Sequence, residues 1–288
     1  MQTQTHSQAL AVGAQLRAWR SRRRLSQLDL ALDAEISARH LSFLETGRSR
    51  PSRGMLLRLA DRLAIPARDR NLLLVAAGFA PALPERALDD PALTAARRAV
   101  ELVLKAHEPF PALAVDRHWQ LVAANAGVAP LLVGAAPHLL VPPVNVLRLS
   151  LHPEGVAPRI ENLGEWRAHI LHRLEAQVAA SGDPVLAALL TELRAYPGGA
   201  SRGEDGYGGV AVPLRLRAGQ GVLSFLSTTT MFGTPIDVTL AELAIEAFLP
   251  ADEATAAALL QPSVTPAQAG AWIDSSSGCH HKVPASPG

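Results

Sequence analysis

Between residues 8 and 80 the apolar positions recur every three to four residues, the spacing of one face of an α-helix. In QALAVGAQLRAWRSRRR, Leu10, Gly13 or Ala14, Leu16 and Ala18 or Trp19 fall together, which predicts an amphipathic helix ending near Arg23. Ser26 suits an N-cap, and Asp29, three positions on, is a short-armed capping-box partner. Leu28, Leu30, Ala31 and Leu32 then supply the buried side of a second helix. The pattern breaks at AEIS and restarts with Ser37 as a new cap. In that third helix Leu41 and Leu44 share one face, while Arg39, Ser42, Phe43 and Thr46 point roughly the other way at about 100° per residue. Gly47 suits its C-terminus and Pro51 prevents continuation. Ser52 caps a fourth helix with Leu56, Leu59, Ala60 and Leu63 inside, and ARDRNLLLVAAG reads as a fifth.

Interrupting one helix to begin another leaves two sets of unpaired backbone groups. What the interruption yields is two helices joined by a short turn, so that the first can lie across a phosphate backbone while the second enters the major groove. Charge adds to this picture. Residues 1–86 hold 14 arginines and 7 acids, a net +7, whereas residues 87–288 hold 13 basic and 19 acidic residues, a net −6, although the whole chain is only +1. A basic front and an acidic rear point to a polyanion partner for the front alone.

Past residue 80 the pattern changes. Pro81, Pro84 and Pro91, with Glu85, Asp89 and Asp90 among them, mark a linker over 81–90. AARRAVELVLKAH reads as a helix. PALAVDRHWQLVAAN shows two short apolar stretches around Asp116 and Arg117, a hairpin, with Asn125 placed to cap a short helix. Helices return at LGEWRAHILHRLEAQVAA and DPVLAALLTELRAY. VAVPLRLRAGQGVLSFLSTTTMF alternates apolar and polar residues on either side of Gly219 and Gly221, a second hairpin. In ELAIEAFLP, Glu242, Ala244 and Glu246 alternate with Leu243, Ile245 and Ala247, which favours a final strand over a helix. The expected rear domain, 91–260, is therefore α+β: an antiparallel sheet with helices on one side.

Composition excludes several classes. With 48% hydrophobic and 18% charged residues the chain is globular, and its length suits two domains better than one. No apolar run approaches the roughly 18 to 20 residues needed to cross a bilayer, and MQTQTHSQAL is no basic-then-apolar leader, so a cytoplasmic protein without membrane contact is expected. The single cysteine, Cys279, allows no internal disulfide. His169, His172 and Glu175 recur every three residues, whereas zinc pairs on helices use i, i+4, so a surface face is expected there rather than a metal site. HPEG beside Arg159 matches no catalytic constellation, and GEDGYGGV lacks the lysine and helix start of a phosphate loop. Cys279, His280 and His281 stand in a Ser/Gly/Pro-rich end, 261–288, expected to be disordered. No catalytic residue, metal or cofactor is expected.

LSQLDLALDAEISARHLSFLETGRSRPS, Leu25 to Ser52, resembles the helix-turn-helix of Cro/C1-type (XRE) regulators, L-[ST]-Q-x-x-L-A followed by S-x-x-x-[IL]-S-x-[LIV]-E-x-G. The resemblance covers roughly 8–80 and implies a five-helix, all-α DNA-binding domain. It implies that Gln27 contacts a phosphate, a role suited to an amide beside a helix N-terminus, and that Arg20 and Glu45 form an ion pair tying the first helix to the reading helix. Base reading is expected from Arg39, Ser42 and Phe43, with Ser37 and Ala38 at the edge. Arg39 can donate twice to guanine, a contact of about 1 to 3 kcal/mol. Phe43 is either a thymine-methyl contact or a packing residue against a neighbouring helix. Arg48, Arg50 and Arg53 suit phosphates. One helix-turn-helix reads only a half-site, so a homodimer on a pseudopalindromic double-stranded operator is expected.

Residues 91 to about 260 resemble the MmyB-like ligand-binding domain, a PAS-like fold, in ALAVDRHWQLVAAN, NVLRLSLHPEG, HILHRLEAQ and FGTPIDVTLAELAIEAFLPADEATAAALL. That resemblance implies a small apolar ligand, with a fatty acid as the leading class. Its site residues are not set by a motif. Trp119, Leu121, Leu149, Trp166, Leu223 and Phe225 are candidates for a cavity lining, and Asn125, Arg148 or His152 for receiving a polar head group. Two other readings stay open: a rear domain that is a dimerisation or protein-interaction platform without ligand, and a rear enzyme addressed to DNA by the front.

Overall fold

The computed structural model describes residues 2–198, 212–219, 221–233 and 235–260, with side chains from residue 11 onward. The Cys279, His280 and His281 triplet, the 261–288 tail and GEDGYGGV all lie outside the described residues. Five helices form the front: α1 Gln2–Arg22, α2 Gln27–Asp33, α3 Ala38–Glu45, α4 Arg53–Arg62 and α5 Ala67–Ala76. Leu16, Leu30, Leu41, Leu44, Leu56, Leu59, Leu63 and Leu74, spread over all five, make one buried core.

The caps follow the serines. Ser26 and Asp29 form a reciprocal capping box, the Ser37 hydroxyl accepts from His40 N, and the Ser52 hydroxyl accepts from Met55 N. At their C-termini α2 to α5 all close in the same way. The residue after the cap sits at positive φ (Glu35 at +56°, Gly47 at +71°, Ala64 at +46°, Gly78 at +85°), and the next N–H reaches back into the last turn, as Ile36 N does to Ala31 O at 2.9 Å. At Glu35 a side chain occupies a conformation that glycine usually takes, so the turn between α2 and α3 is held by its hydrogen bonds and not by residue preference. Gly13 of α1 is required for a different reason: a Cβ there would lie 2.5 Å from Leu44 O and 2.6 Å from Glu45 O, so its absence lets α1 rest on the α3 backbone.

One expectation about α2 is corrected. Leu30 and Ala31 are buried, but Leu28 and Leu32 are 59% and 68% exposed. With only seven residues, α2 presents a narrow stripe to the core, and two of its four apolar side chains fall outside it.

The rear comprises α6 Thr94–Ala106, β1 Ala112–Val115, β2 Leu121–Ala124, α7 Val146–Leu151, α8 Leu163–Ser181, α9 Pro184–Ala195, β3 Leu214–Ala218, β4 Gly221–Met231, α10 Val238–Ala241, β5 Ala244–Pro250 and α11 Glu253–Leu260. The strands form one antiparallel sheet in the order β2-β1-β5-β4-β3, and the ELAIEAFLP segment does end in a strand. Helices cover both faces, not one as the sequence suggested. Leu113, Trp119, Leu216 and Phe225 belong to a core shared with Leu149, Trp166, Leu174 and Leu193 of α7 to α9. On the other face Val100 and Leu104 of α6 pack on Ala112, Ala114, Ile245 and Ala247. Alternation along β1 explains this: its small residues face one way and its larger ones the other.

Asn125 does not cap the following turn. It is buried, and its Oδ1 accepts from Ala112 N at 3.0 Å while its Nδ2 donates to Leu104 O and Phe110 O, so it pins the start of β1 to α6.

The stretch 81–90 carries no helix or strand but is tied at both ends. Buried Asn71 of α5 accepts from Ala82 N and Leu83 N and donates to Leu83 O. Val238 N donates to Pro84 O, Thr239 Oγ1 donates to Arg86 O, and the Arg86 guanidinium meets the fully buried Asp237 carboxylate at 3.2 Å. Beside it, Arg68 of α5 grips Glu242 with two nitrogens at 2.9 Å each.

Candidate DNA-reading helix and rear cavity

Helix α3 has one sealed face and one open face. Leu41 and Leu44 are buried; Arg39 and Thr46 are exposed, and Ser42 and Phe43 half-buried. Phe43 lies outside the front core, with the Arg39 and Arg48 guanidinium carbons 5.4 and 6.0 Å from its ring centre. That stacking holds two cations on an apolar plate at the edge of the helix. Arg48, Arg50 and Arg53 continue the exposed positive row past Gly47. Ser37 is exposed, with its hydroxyl accepting from the backbone, and Ala38 is half-buried beside it.

Behind the open face sits a buried carboxylate. Glu45, its side chain 1% exposed, accepts from Arg20 Nε at 2.6 Å and Nη2 at 2.9 Å, so α1 is bolted to α3 by a two-pronged ion pair. Gln27 gives an amide N–H to Glu45 Oε2 at 2.8 Å, which leaves its second N–H for an anion. Burial pushes the Glu45 carboxyl up, but the hydrogen bonds from Arg20 and Gln27 and the nearby arginine charges outweigh it and hold the group below its usual range.

In the rear, a cavity of about 110 Å³ lies between the sheet and α7 and α8. Trp119, Leu121, Leu149 and Trp166 line it, together with Leu131, Leu216 and Phe248. Phe225 and Leu223 do not: Phe225 is fully buried in the packed core, and Leu223 is partly buried against that core. The three head-group candidates also fall elsewhere. Asn125 is spent on the backbone, Arg148 is paired with Glu192 at 2.6 and 2.8 Å, and His152 sits edge-on to Tyr196 and His138.

Other polar groups reach the wall: Ser150, His169, Arg173, Ser227 and Glu246. Arg173 meets Glu246 twice, at 2.6 and 3.0 Å, donates to Thr229 Oγ1 at 2.7 Å, and lies 4.6 Å over the Trp119 ring. His169 stacks on Trp166. Burial, then the Arg173 charge, pushes its imidazole below the usual range, which favours the uncharged ring. Sequence reading placed His169 on a surface face and passed over Arg173 and Glu246. Two signals were present: His169 and Arg173 stand i, i+4 on the helix that carries Trp166 and Ile170, and Glu246 is an acid inside an otherwise apolar strand. His172 and Glu175 are exposed, Glu175 pairing with Arg194 at 2.6 Å. Among the described residues, His138, His152 and Glu154 bring possible metal-binding atoms within 4.8 Å of one another, although His152 Nδ1 already accepts from Glu154 N.

The β1–β2 turn is one connection between the cavity and the front, and α8 is another, its Ala180 O accepting from Arg23 Nη1 at 2.9 Å. Trp119, at φ +65°, follows Arg117 and His118 in the β1–β2 hairpin. His118 Nε2 is 3.0 Å from Asp183, and Arg117 is 3.7 Å from both Asp183 and the same Glu242 that Arg68 grips.

An outward-facing α3 on a helix-turn-helix, joined to an α+β domain with an apolar cavity, defines a DNA-binding regulator with a ligand-binding domain. Residues 96–261, more than half of the chain, match the family described as MmyB-like transcription regulator ligand binding domain, and the chain belongs to that family. Residues 11–73 match a helix-turn-helix domain. Two solved structures of the clp gene regulator ClgR from Corynebacterium glutamicum are similar to part of this chain. One is 30% identical over 25% of this chain and 88% of its own, the other 27% identical over 35% and 95%, each at a TM-score of 0.22. No curated protein matches. No helix among the described residues is long and apolar enough to cross a membrane.

Proposed function

We propose that the chain acts in the cytoplasm as a homodimer, each α3 reading one half of a pseudopalindromic operator, and that a small apolar ligand of the fatty-acyl class, lodged in the rear cavity, alters that binding. Arg39, Ser42 and Phe43 read bases; Gln27, Arg48, Arg50 and Arg53 hold phosphates. The observation that carries this reading is the division of α3: Leu41 and Leu44 sealed, Arg39 standing in solvent. Two helices related by a twofold axis and spaced about 34 Å apart would meet successive major grooves.

Coupling follows a short route. A ligand against Trp119 presses on the turn whose other residues hold Asp183 and Glu242, and Glu242 holds Arg68 of α5. A ligand that favours one setting of that seam shifts operator affinity by its differential affinity for the two settings.

The test is operator binding by the full chain at a fixed salt of about 0.15 M, with and without medium-chain acyl compounds. Selection from random DNA should return a site with two related halves, and a bound acyl compound should change its affinity by about fivefold or more. Equal affinity for all sequences would overturn the reading of α3; an operator affinity indifferent to a bound ligand would overturn the coupling.

A further inference from the structure

The charges inside the rear cavity define the kind of head group it accepts. Among the described residues, three titratable side chains reach the wall: His169, Arg173 and Glu246. Arg173 and Glu246 neutralise one another through two hydrogen bonds, with Thr229 donating to the same carboxylate at 2.9 Å. Glu246 is 4% exposed and stands in the middle of β5, opposite Leu113 of β1 and Thr229 of β4. Arg173 is fixed from a second side by the Trp119 ring. The cavity thus offers hydrogen-bonding groups at one part of its wall, with no net charge to receive an ion.

A carboxylate entering here would have two poor choices. Beside the intact pair it sits next to Glu246 with no cation of its own, in surroundings that penalise a buried charge. If it takes Arg173, it strands Glu246, a buried acid on a central strand with no other Arg or Lys on the wall among the described residues. A cationic head meets the reverse difficulty, since Glu246 is already satisfied. An amide, alcohol or ester needs neither step: Ser150, Ser227, His169 and the rim of the pair can exchange hydrogen bonds with it.

We propose that the cavity selects a single-chain amphiphile with an uncharged, hydrogen-bonding head group and discriminates against the ionised fatty acid of the same length, with the Arg173–Glu246 pair as the specificity determinant. This rests on the reading of the cavity as an acyl-ligand site and narrows its chemistry.

The test uses the full chain and three probes of equal chain length, decanamide, 1-decanol and decanoate, titrated at pH 8 by calorimetry, with the fluorescence of cavity-lining Trp119 and Trp166 as a second readout. Decanamide and decanol should bind at least about tenfold more tightly than decanoate. In Glu246→Gln, which leaves Arg173 unpaired, decanoate should gain at least about tenfold over its native affinity. The double variant Arg173→Gln/Glu246→Gln, neutral again, should restore the native order. Decanoate binding as well as or better than decanamide to the native chain would overturn the head-group assignment even if Glu246→Gln did not fold. So would a double variant that still takes decanoate as Glu246→Gln does. Failure of all three probes to bind would overturn the acyl-cavity reading and this inference with it, whereas a reversed ranking removes only the latter.

Discussion

Around α3, Leu41 and Leu44 are sealed and the arginines stand in water; around the rear cavity, Arg173 and Glu246 are turned inward and apolar side chains form most of the wall. Both regions use an Arg–Glu pair, but to different ends. The Arg20–Glu45 pair lies behind the reading face and joins two helices, so it shapes a surface without belonging to it. The Arg173–Glu246 pair is part of the site itself. The contrast shows how partner chemistry selects architecture. On the proposed reading, a polyanion is met by exposed charge whose strength falls with salt, and a small apolar ligand by a recessed wall whose charges cancel.

Four changes test that contrast, the largest first. Leu216→Ala removes a fully buried side chain from the cavity wall and should lower rear-domain stability by about 3 kcal/mol in a urea titration. Operator affinity measured below the melting range should be unchanged. Glu45→Ala leaves Arg20, whose side chain is 13% exposed, without its partner and should destabilise the front by about 2 to 3 kcal/mol. The same pair sets a pH dependence. Because the folded Glu45 carboxyl is held below its usual range, its contribution is complete above about pH 4.3 and is lost as pH falls through the lowered value. The native front should therefore lose stability in acid more steeply than Glu45→Ala, as followed by circular dichroism between pH 5 and about 2.

Arg39→Ala should cost about 1 to 3 kcal/mol at a single base pair of the operator and leave stability within about 0.5 kcal/mol, read by competition among operator variants. Equal weakening on every sequence would move Arg39 from base to phosphate. The smallest effect belongs to Arg50→Ala, which should weaken all sequences alike and reduce the slope of log affinity against log salt by about one.

The two regions also differed in how much of them could be read in advance. Residues Leu25 to Ser52 hold caps, core leucines and outward residues in one contiguous run, because helix contacts and helix faces are local. Even there Leu28 and Leu32 were misplaced, since which part of a short helix is covered depends on the packing of α3 and α4 against it. The cavity draws its wall from residues 113 to 248, brought together by strand register, and no local period marks that. Aromatic and leucine positions near the wall were partly legible, as Trp119, Leu121, Leu149 and Trp166 show. The polar candidates were not: Asn125, Arg148 and His152 are polar residues in apolar surroundings whose partners, Ala112, Glu192 and Tyr196, lie 13 to 44 positions away. A side chain's surroundings identify it as a site residue only once its nearest partner is known. The second helical layer, α6, was hidden for a related reason, because alanines at Ala112 and Ala114 look like weak strand residues until a helix is seen to lie on them.

The segment 81–90, rich in proline and acid, has the composition of a tether, and a free stretch of that length would let its ends wander by about 17 Å. Fastened to Asn71 on one side and to Asp237, Val238 and Thr239 on the other, it has the mechanics of a strut. A strut takes up no slack. In the proposed homodimer, the spacing of the operator half-sites would then set the distance between the two cavities, and a twist imposed at one end would arrive at the other as torque.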